Sequence, residues 1–476
     1  MTSLDAYLIF LLLASLYTLA GLCIVQVLLT YRTAQGAIAW IIALLAMPYV
    51  ALPAYVIFGR SKFQGYVNAR RIGDQELANI SAALDNHAKP VICRPPGHSE
   101  ELLVLTNLLR LPLTHSNRCE LLIDGERSFE AMLLAIEKAR KYILIEFYIV
   151  RHDELGNRFK DALIKKANEG LAVYFIYDEV GSSGLSRSFI KELAVAGINI
   201  TSFGSTRAYL KRVQINFRNH RKIVVTDGDN AFIGGMNIGD EYLRKTNAAA
   251  PWRDTHLHIL GPAVLGVQLA FVEDWYWAKG HVPALNWQPE PQEDNQKVLI
   301  IPTSAADEHD NCELFFLNSI NNARDRIWIA TPYFVPDMQI MSALQLASAR
   351  GVDVRILIPQ RPDLTLVYYA AYSYMVQADR YGIGIYRYQT GFMHQKVMLV
   401  DNRYASIGTA NLDNRSMRLN FEITALVADK AFVGQVSSML TDDFSASIRM
   451  SLNDYQNRSL RFRLLCRAAR LLGPVL

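Results

Sequence analysis

The chain has 476 residues, 51% hydrophobic and 20% charged, with a formal net charge of +4. That length supports two or three domains with a sizeable core, and so small a charge does not by itself argue for nucleic acid. Its five cysteines (Cys23, Cys93, Cys119, Cys312, Cys466) form no C-x-x-C pair, which argues against a disulfide framework or a cysteine-built zinc site and fits a reduced compartment.

Residues 6–31 and 33–59 carry no charge, with only Arg32 between them. Each run exceeds the roughly 20 apolar residues that cross a bilayer core, so a hairpin of two transmembrane helices is predicted over 1–60. A cleaved signal peptide would need a basic start and a shorter apolar run. Pro48 and Pro53 are positions where the second segment would bend. Arg60, Lys62, Arg70 and Arg71 crowd just after it. The positive-inside rule then places the rest of the chain in the cytoplasm, as part of a multi-pass protein.

Residues 61–100 form a polar linker ending in "KPVICRPPGHSE". Beyond it the chain alternates strand and helix patterns. "KYILIEFYIV", "GNRFKDALIKKANEG" and "LAVYFIYDEV" are answered by "RIWIATPYFV", "DMQIMSALQLASARG" and "VDVRILIP". The order predicts an α/β fold with mainly parallel pairing, built twice. The halves fall at 101–285 and 298–455, joined by the Pro-rich linker 286–297 and packed about a pseudo-two-fold axis. Residues 456–476 form a basic tail with five Arg and no acid, either an amphipathic helix on an anionic bilayer or a helix packed on the domain.

The repeat carries chemistry. His220-x-Lys222-x4-Asp227-x6-Gly234-Gly235-x-Asn237 returns as His394-x-Lys396-x4-Asp401-x6-Gly408-Thr409-x-Asn411. On a strand, positions i and i+2 share a face, so each His lies beside its Lys. The Gly pair lets backbone come close to whatever those side chains hold. The set suits displacement at a phosphodiester: one His attacks phosphorus, the other moves the proton, and two Lys with Asn237 and Asn411 hold the non-bridging oxygens. No metal or other cofactor is needed, because the lysines supply the positive field. Six basic residues in 207–222 lead into the first motif and would attract an anionic head group.

The paired motifs resemble the H-K-D motifs of the phospholipase D superfamily. With the N-terminal hairpin and the short "FxxDW" element in "FVEDWYW", nearly the whole chain resembles the two-span bacterial cardiolipin synthases. The resemblance implies two phospholipase D-type domains in a bacterial inner membrane, catalytic halves on the cytoplasmic side. It implies transfer of phosphatidyl from one phosphatidylglycerol to the glycerol of another through a phosphohistidine, with anionic membrane lipids as partners and no nucleic acid. It further implies His220 as nucleophile and His394 as acid/base, an order that the near symmetry could reverse, and Asp227 and Asp401 as structural anchors. Where relatives often carry Ser after the first Gly, this chain has Gly235 and Thr409, so a hydroxyl contact toward the phosphate is expected only from Thr409. By the same resemblance Glu422 is paired with His220 and Asp254 with His394 as orienting carboxylates, with Glu146 and Glu241 as weaker substitutes and an ordinary salt bridge as the alternative. His256 and His258, an H-x-H that could be read as a metal pair, are left outside the catalytic set. The competing functions are a phospholipase D-type hydrolase or nuclease and a non-catalytic lipid-binding protein. The oligomeric state is not legible.

Overall fold

The computed structural model describes residues 3–31, 33–59, 66–67, 92–93, 100–109, 111–204, 216–243, 252–361 and 363–473. The charged cluster Arg60, Lys62, Arg70 and Arg71, nearly all of the 61–100 linker, and the 207–215 part of the basic stretch lie outside them.

The N-terminus is a 28-residue helix, Ser3–Thr30, long and apolar enough from Tyr7 to cross a membrane. The expected second span is instead two short helices, Ala34–Ala46 and Pro48–Phe58. Met47 stands between them at φ −140° and ψ 62°. It precedes a proline, whose ring disfavours the helical region for its neighbour and which has no N–H to continue the ladder. Ala20, Val27, Leu44 and Tyr55 pack the three helices together.

First-half strands are β1 (Thr114–Ile123), β2 (Tyr142–Phe147), β3 (Ala172–Asp178), β4 (Asn199–Phe203), β5 (Arg218–Asn219), β6 (Lys222–Thr226), β7 (Asn230–Gly234) and β8 (Thr255–Leu260). Second-half strands are β9 (Gln296–Thr303), β10 (Arg326–Ala330), β11 (Phe334–Val335), β12 (Asp353–Pro359) and β13 (Gly384–Tyr388). They continue with β14 (Val397–Val400), β15 (Tyr404–Gly408), β16 (Leu412–Asp413), β17 (Asn420–Ala428) and β18 (Ser447–Arg449). From the middle outward the halves run β1-β8-β7-β6-β2-β3-β4 and β9-β17-β15-β14-β10-β12-β13. These are equivalent orders, and β1 pairs antiparallel with β9 at the seam. The result is one continuous sheet with a pseudo-two-fold axis between β1 and β9.

The pairing is mixed rather than mainly parallel. Among the described residues, only the outer β2-β3-β4 and β10-β12-β13 ladders, with two short additions, run parallel. The motif strands form hairpins, β6 with β7 and β14 with β15, and a short turn can only return a strand antiparallel. One core cluster, including Trp275, Val298, Ile300, Ile423 and Val436, runs through both halves beneath the helices Val264–Lys279 and Lys430–Ser445. The opposite face is covered half by half, around Phe129, Phe159 and Phe189 in the first and Phe316 and Leu344 in the second. Leu102 and Leu105 of the helix Glu100–Leu109 join the second-half cluster, so the first half's own packing starts at β1.

The basic tail forms the helix Leu460–Leu471. Phe462 lies 5.1 Å from the Tyr372 ring, and the Arg470 guanidinium sits 4.5 Å over Tyr374. The tail therefore packs on the helix Thr365–Asp379 while Leu460, Leu464 and Leu471 face outward.

Asp227 and Asp401 close the two motif hairpins at φ +59° and +53°, a left-handed region in which Asp is enriched among non-glycine residues. Asp227 accepts the backbone N–H groups of Arg140, Lys141 and Tyr142. Asp401 accepts those of Arg324, Asp325 and Arg326. Each carboxylate thus ties its hairpin to the start of β2 or β10. Asp401→Ala should strand these donors and lower stability by about 3 kcal/mol in chemical denaturation. Asp401→Asn, which keeps an acceptor and tolerates the backbone, should lose clearly less; equal losses would disprove the anchoring.

Candidate active site

The two motifs meet by crossing the seam. β5 pairs with the start of β17, and the His220 N–H donates to the Phe421 carbonyl at 2.9 Å. Reciprocally, the His394 N–H donates to the Arg253 carbonyl at 2.8 Å. These backbone contacts bring His220 Nδ1 within 2.8 Å of Glu422 Oε2, and His394 Nδ1 within 2.8 Å of Asp254 Oδ2. Gly234 pairs with His256 and Gly408 with Thr424, so Asp254, just before β8, and Glu422, in β17, stand at equivalent places. Each carboxylate belongs to the half opposite its histidine.

Lys222 and Lys396 each donate to the carbonyl of their own histidine at 2.6 Å. Lys396 Nζ is also 3.0 Å from both ring nitrogens of His394. Imidazole donors and lone pairs lie in the ring plane, so an ammonium equidistant from both sits over the ring face. Burial pushes His220 down to about 4, with Glu422 opposing and Lys222 adding. Burial, then Lys396, Lys222 and His220, hold His394 well below its usual range. Lys222 is likewise far below its ordinary value, chiefly through burial with Lys396 contributing, and burial brings Lys396 to about 8. Lys222 and Lys396 disfavour the positive form of each histidine, and Lys396 that of Lys222. An incoming phosphodiester anion would reverse that.

The carboxylates are unequal. Burial pushes Glu422 upward, but His220, Lys222 and Thr409 outweigh it and keep it below the usual range. It also accepts from Ser416 Oγ at 2.8 Å and Asn420 Nδ2 at 3.0 Å. Asp254 accepts the Thr255 N–H at 2.7 Å besides its histidine, and burial raises it to about 6. His220 and Lys222 account for most of the lowering at Glu422, and the residue after the first glycine adds to it. Thr409 Oγ1 donates to Glu422 Oε2 at 2.6 Å. Its only hydroxyl proton is spent there, so the expected phosphate contact is replaced by a carboxylate contact. A Cβ on Gly235 would sit 2.2 Å from Asp254 Oδ1. The glycine therefore admits the neighbouring strand's carboxylate, rather than a ligand as expected.

Asn237 Oδ1 accepts the Ile149 N–H at 3.1 Å, and its Nδ2 donates to the Tyr242 hydroxyl at 3.4 Å. That hydroxyl lies 3.4 Å from His394 Nδ1, linking the first motif's end to the second motif's histidine. Asn411 is buried, its N–H on Ser416 Oγ. Glu146 is bound to Asn219, and Glu241 pairs with Arg151, so neither meets a motif histidine. His258 stacks on Phe232 at 4.3 Å, and His256 Nδ1 accepts the Met236 N–H at 3.4 Å.

Several neighbours were not anticipated. Tyr148 stands edge-on to His220 at 5.0 Å, and Trp252 and Phe392 flank His394 at 5.2 and 5.9 Å. Arg221 points to the other face, where it pairs with Asp274 of the "FVEDWYW" element at 2.6 Å. Tyr66 donates to the same carboxylate at 2.8 Å. Gln395, the counterpart of Arg221, donates to Asp443 at 2.8 Å. The recurrence of an Asp before an aromatic in "LTDDF" (440–444) was the available signal.

Comparison with known proteins shows the family. The family described as "Cardiolipin synthase, PLD-like domain" matches residues 132–250 and 316–444, and "Phospholipase_D-nuclease N-terminal" matches 18–60. Cardiolipin synthase A of Pseudomonas aeruginosa is 44% identical over 469 residues, 98% of this chain and 96% of that protein. Cardiolipin synthase A of Pseudomonas fluorescens is 42% identical, covering 98% of each. Among solved structures, phosphatidylserine synthase of Haemophilus influenzae superposes with a TM-score of 0.60 at 14% identity, covering 79% of this chain and 100% of that one, a likeness of fold. With two phospholipase D-like halves and near-full-length similarity at this level, the chain belongs to the cardiolipin synthase family of the phospholipase D superfamily.

Proposed function

We propose that the protein is a membrane-bound phosphatidyltransferase making cardiolipin and glycerol from two phosphatidylglycerol molecules. The observation that carries this is the reciprocal pair His220–Glu422 and His394–Asp254 with a lysine beside each ring. With its Nδ1–H held by an ionised Glu422, neutral His220 presents an Nε2 lone pair to phosphorus. Attack forms the N–P bond and breaks the bond to the head-group glycerol, which leaves with a proton from His394. Lys222 and Lys396 take the charge on the non-bridging oxygens. The glycerol hydroxyl of a second lipid then gives its proton to His394, attacks phosphorus and frees His220. The firmer, more fully bonded Glu422 supports His220 as nucleophile; Asp254, at about 6, supports His394 as the group whose proton comes and goes. Burial of both rings supports transfer over hydrolysis, because water is kept from the intermediate.

For topology, we read the N-terminal helices as a hairpin with both catalytic halves on the cytoplasmic side of a bacterial inner membrane. The Arg60, Lys62, Arg70 and Arg71 cluster in the sequence supports that orientation.

Full-length protein given labelled phosphatidylglycerol should yield cardiolipin and glycerol; phosphatidic acid as the only lipid product would overturn the reading. His394→Ala should cut turnover by about 10²–10⁴-fold, and His220→Ala should abolish acid-labile, alkali-stable labelling of the protein by phosphate-labelled substrate. Asp254 must be ionised to support His394, so kcat/KM should fall as pH drops below about 6. Lys396 must be charged, so it should fall again as pH rises above about 8. Asp254→Asn should remove the acidic limb. Thr409→Val removes a hydrogen bond to an ionised carboxylate and should slow turnover about tenfold; unchanged kinetics would refute the contribution assigned to that hydroxyl.

A further inference from the structure

A helix that only completes a globular core buries its largest aliphatic side chains. The tail helix Leu460–Leu471 does the reverse. Its packed stripe is Phe462, Cys466, Ala469 and, just past its end, Gly473, the i, i+4, i+7, i+11 spacing of one helical face. Leu460, Leu464, Leu465, Leu471 and Leu472 occupy the opposite arc and are exposed, Leu460 at 65% and Leu471 at 81%. Arg461 and Arg467 are exposed in the same arc. The helix cannot turn these leucines inward, because both of its ends are fixed. Phe462 packs on Tyr369 and Tyr372 at 5.4 and 5.1 Å, and Asn414 Nδ2 donates to the Val335 and Gly473 carbonyls at 3.1 and 3.0 Å.

Charge decides what can cover such a face. Residues 457–476 hold five arginines (Arg458, Arg461, Arg463, Arg467, Arg470) and no acid. Arg458 and Arg470 lie over the Phe462 and Tyr374 rings at 5.2 and 4.5 Å, and among the described residues none of the five is paired with a carboxylate. Two copies of the chain meeting face to face through this arc would bring their arginines together with no acid between them, which disfavours that contact. An anionic bilayer takes both kinds of residue: leucines enter the acyl boundary while the guanidiniums stay at the head-group phosphates. The chain already carries an apolar membrane-length helix at its N-terminus, so a bilayer is within its reach.

We propose that the exposed arc of the tail helix is a second membrane contact, separate from the N-terminal helices, which docks on an anionic phospholipid surface. Its leucines enter the acyl boundary, and Arg461 and Arg467 meet lipid phosphates. The Asn414–Gly473 hydrogen bond ties this contact to the end of the second motif, three residues past Asn411. The anionic lipid content of the bilayer therefore governs how the second half is held against it. The assignment concerns the tail alone and stands apart from the transferase reading.

The test uses full-length protein with Leu464→Cys, a fluorophore on that thiol, and vesicles of phosphatidylcholine with or without phosphatidylglycerol. The protein without the substitution, labelled in parallel, gives the background of its own cysteines. Lipids brominated along the acyl chain should quench the fluorophore about threefold more strongly when phosphatidylglycerol is present. Adding Arg461→Gln and Arg467→Gln should remove that difference; both side chains are exposed, so the fold should tolerate the change. Quenching that is absent from both vesicles, or equal in both, overturns the proposal. So does self-quenching that rises with protein density and ignores the brominated lipid, which would make the arc an interface between copies. None of these readouts requires turnover, so a failure to make cardiolipin bears on the transferase reading alone.

Discussion

Everything at the centre of this protein depends on an exchange across the β1–β9 seam. Each motif histidine takes its backbone hydrogen bond and its orienting carboxylate from the other half. An imidazole acts as nucleophile or acid only when its tautomer is fixed, and the fixing group lies on a different strand system. Neither half holds a complete site. The continuous sheet and the core cluster that runs through both halves are therefore requirements of the chemistry as much as of stability.

The site is electrostatically incomplete without an anion. Two lysines and two imidazoles are buried together, and the lysines weaken the charged forms of both imidazoles. Two carboxylates offset only part of this. In the proposed reaction a phosphodiester would supply the missing negative charge and so couple its own binding to protonation of the acid. The surroundings agree with an amphiphilic substrate: aromatic rings flank both histidines.

Duplication does not make the halves interchangeable. Gly235 gives Asp254 room and nothing to bond, while Thr409 gives Glu422 a hydroxyl. The Thr409 hydroxyl, after His220 and Lys222, helps hold Glu422 below its usual range, while burial raises Asp254 to about 6. Beneath the motifs the same pattern recurs, with Asp274 holding Arg221 and Asp443 holding Gln395 and Arg253.

The sequence by itself determined the repeat, the spacing of His, Lys, Asp and Asn, the α/β class and the apolar N-terminus, because each is a local or periodic property of the chain. Strand parity alone places His220 beside Lys222 and His394 beside Lys396. Tertiary structure decided the rest. The hairpins closed at Asp227 and Asp401 make the sheet mixed, and Met47 before Pro48 divides the second apolar run. Tyr242, Trp252, Phe392 and Ser416 carry no spacing signal, since their place beside a histidine or its carboxylate arises only when β8 and β17 cross to the opposite motif. The Thr409 hydroxyl could not be assigned from its position in the motif either. Whether it meets a phosphate or a carboxylate depends on the neighbouring strand, and sequence order does not encode that distance.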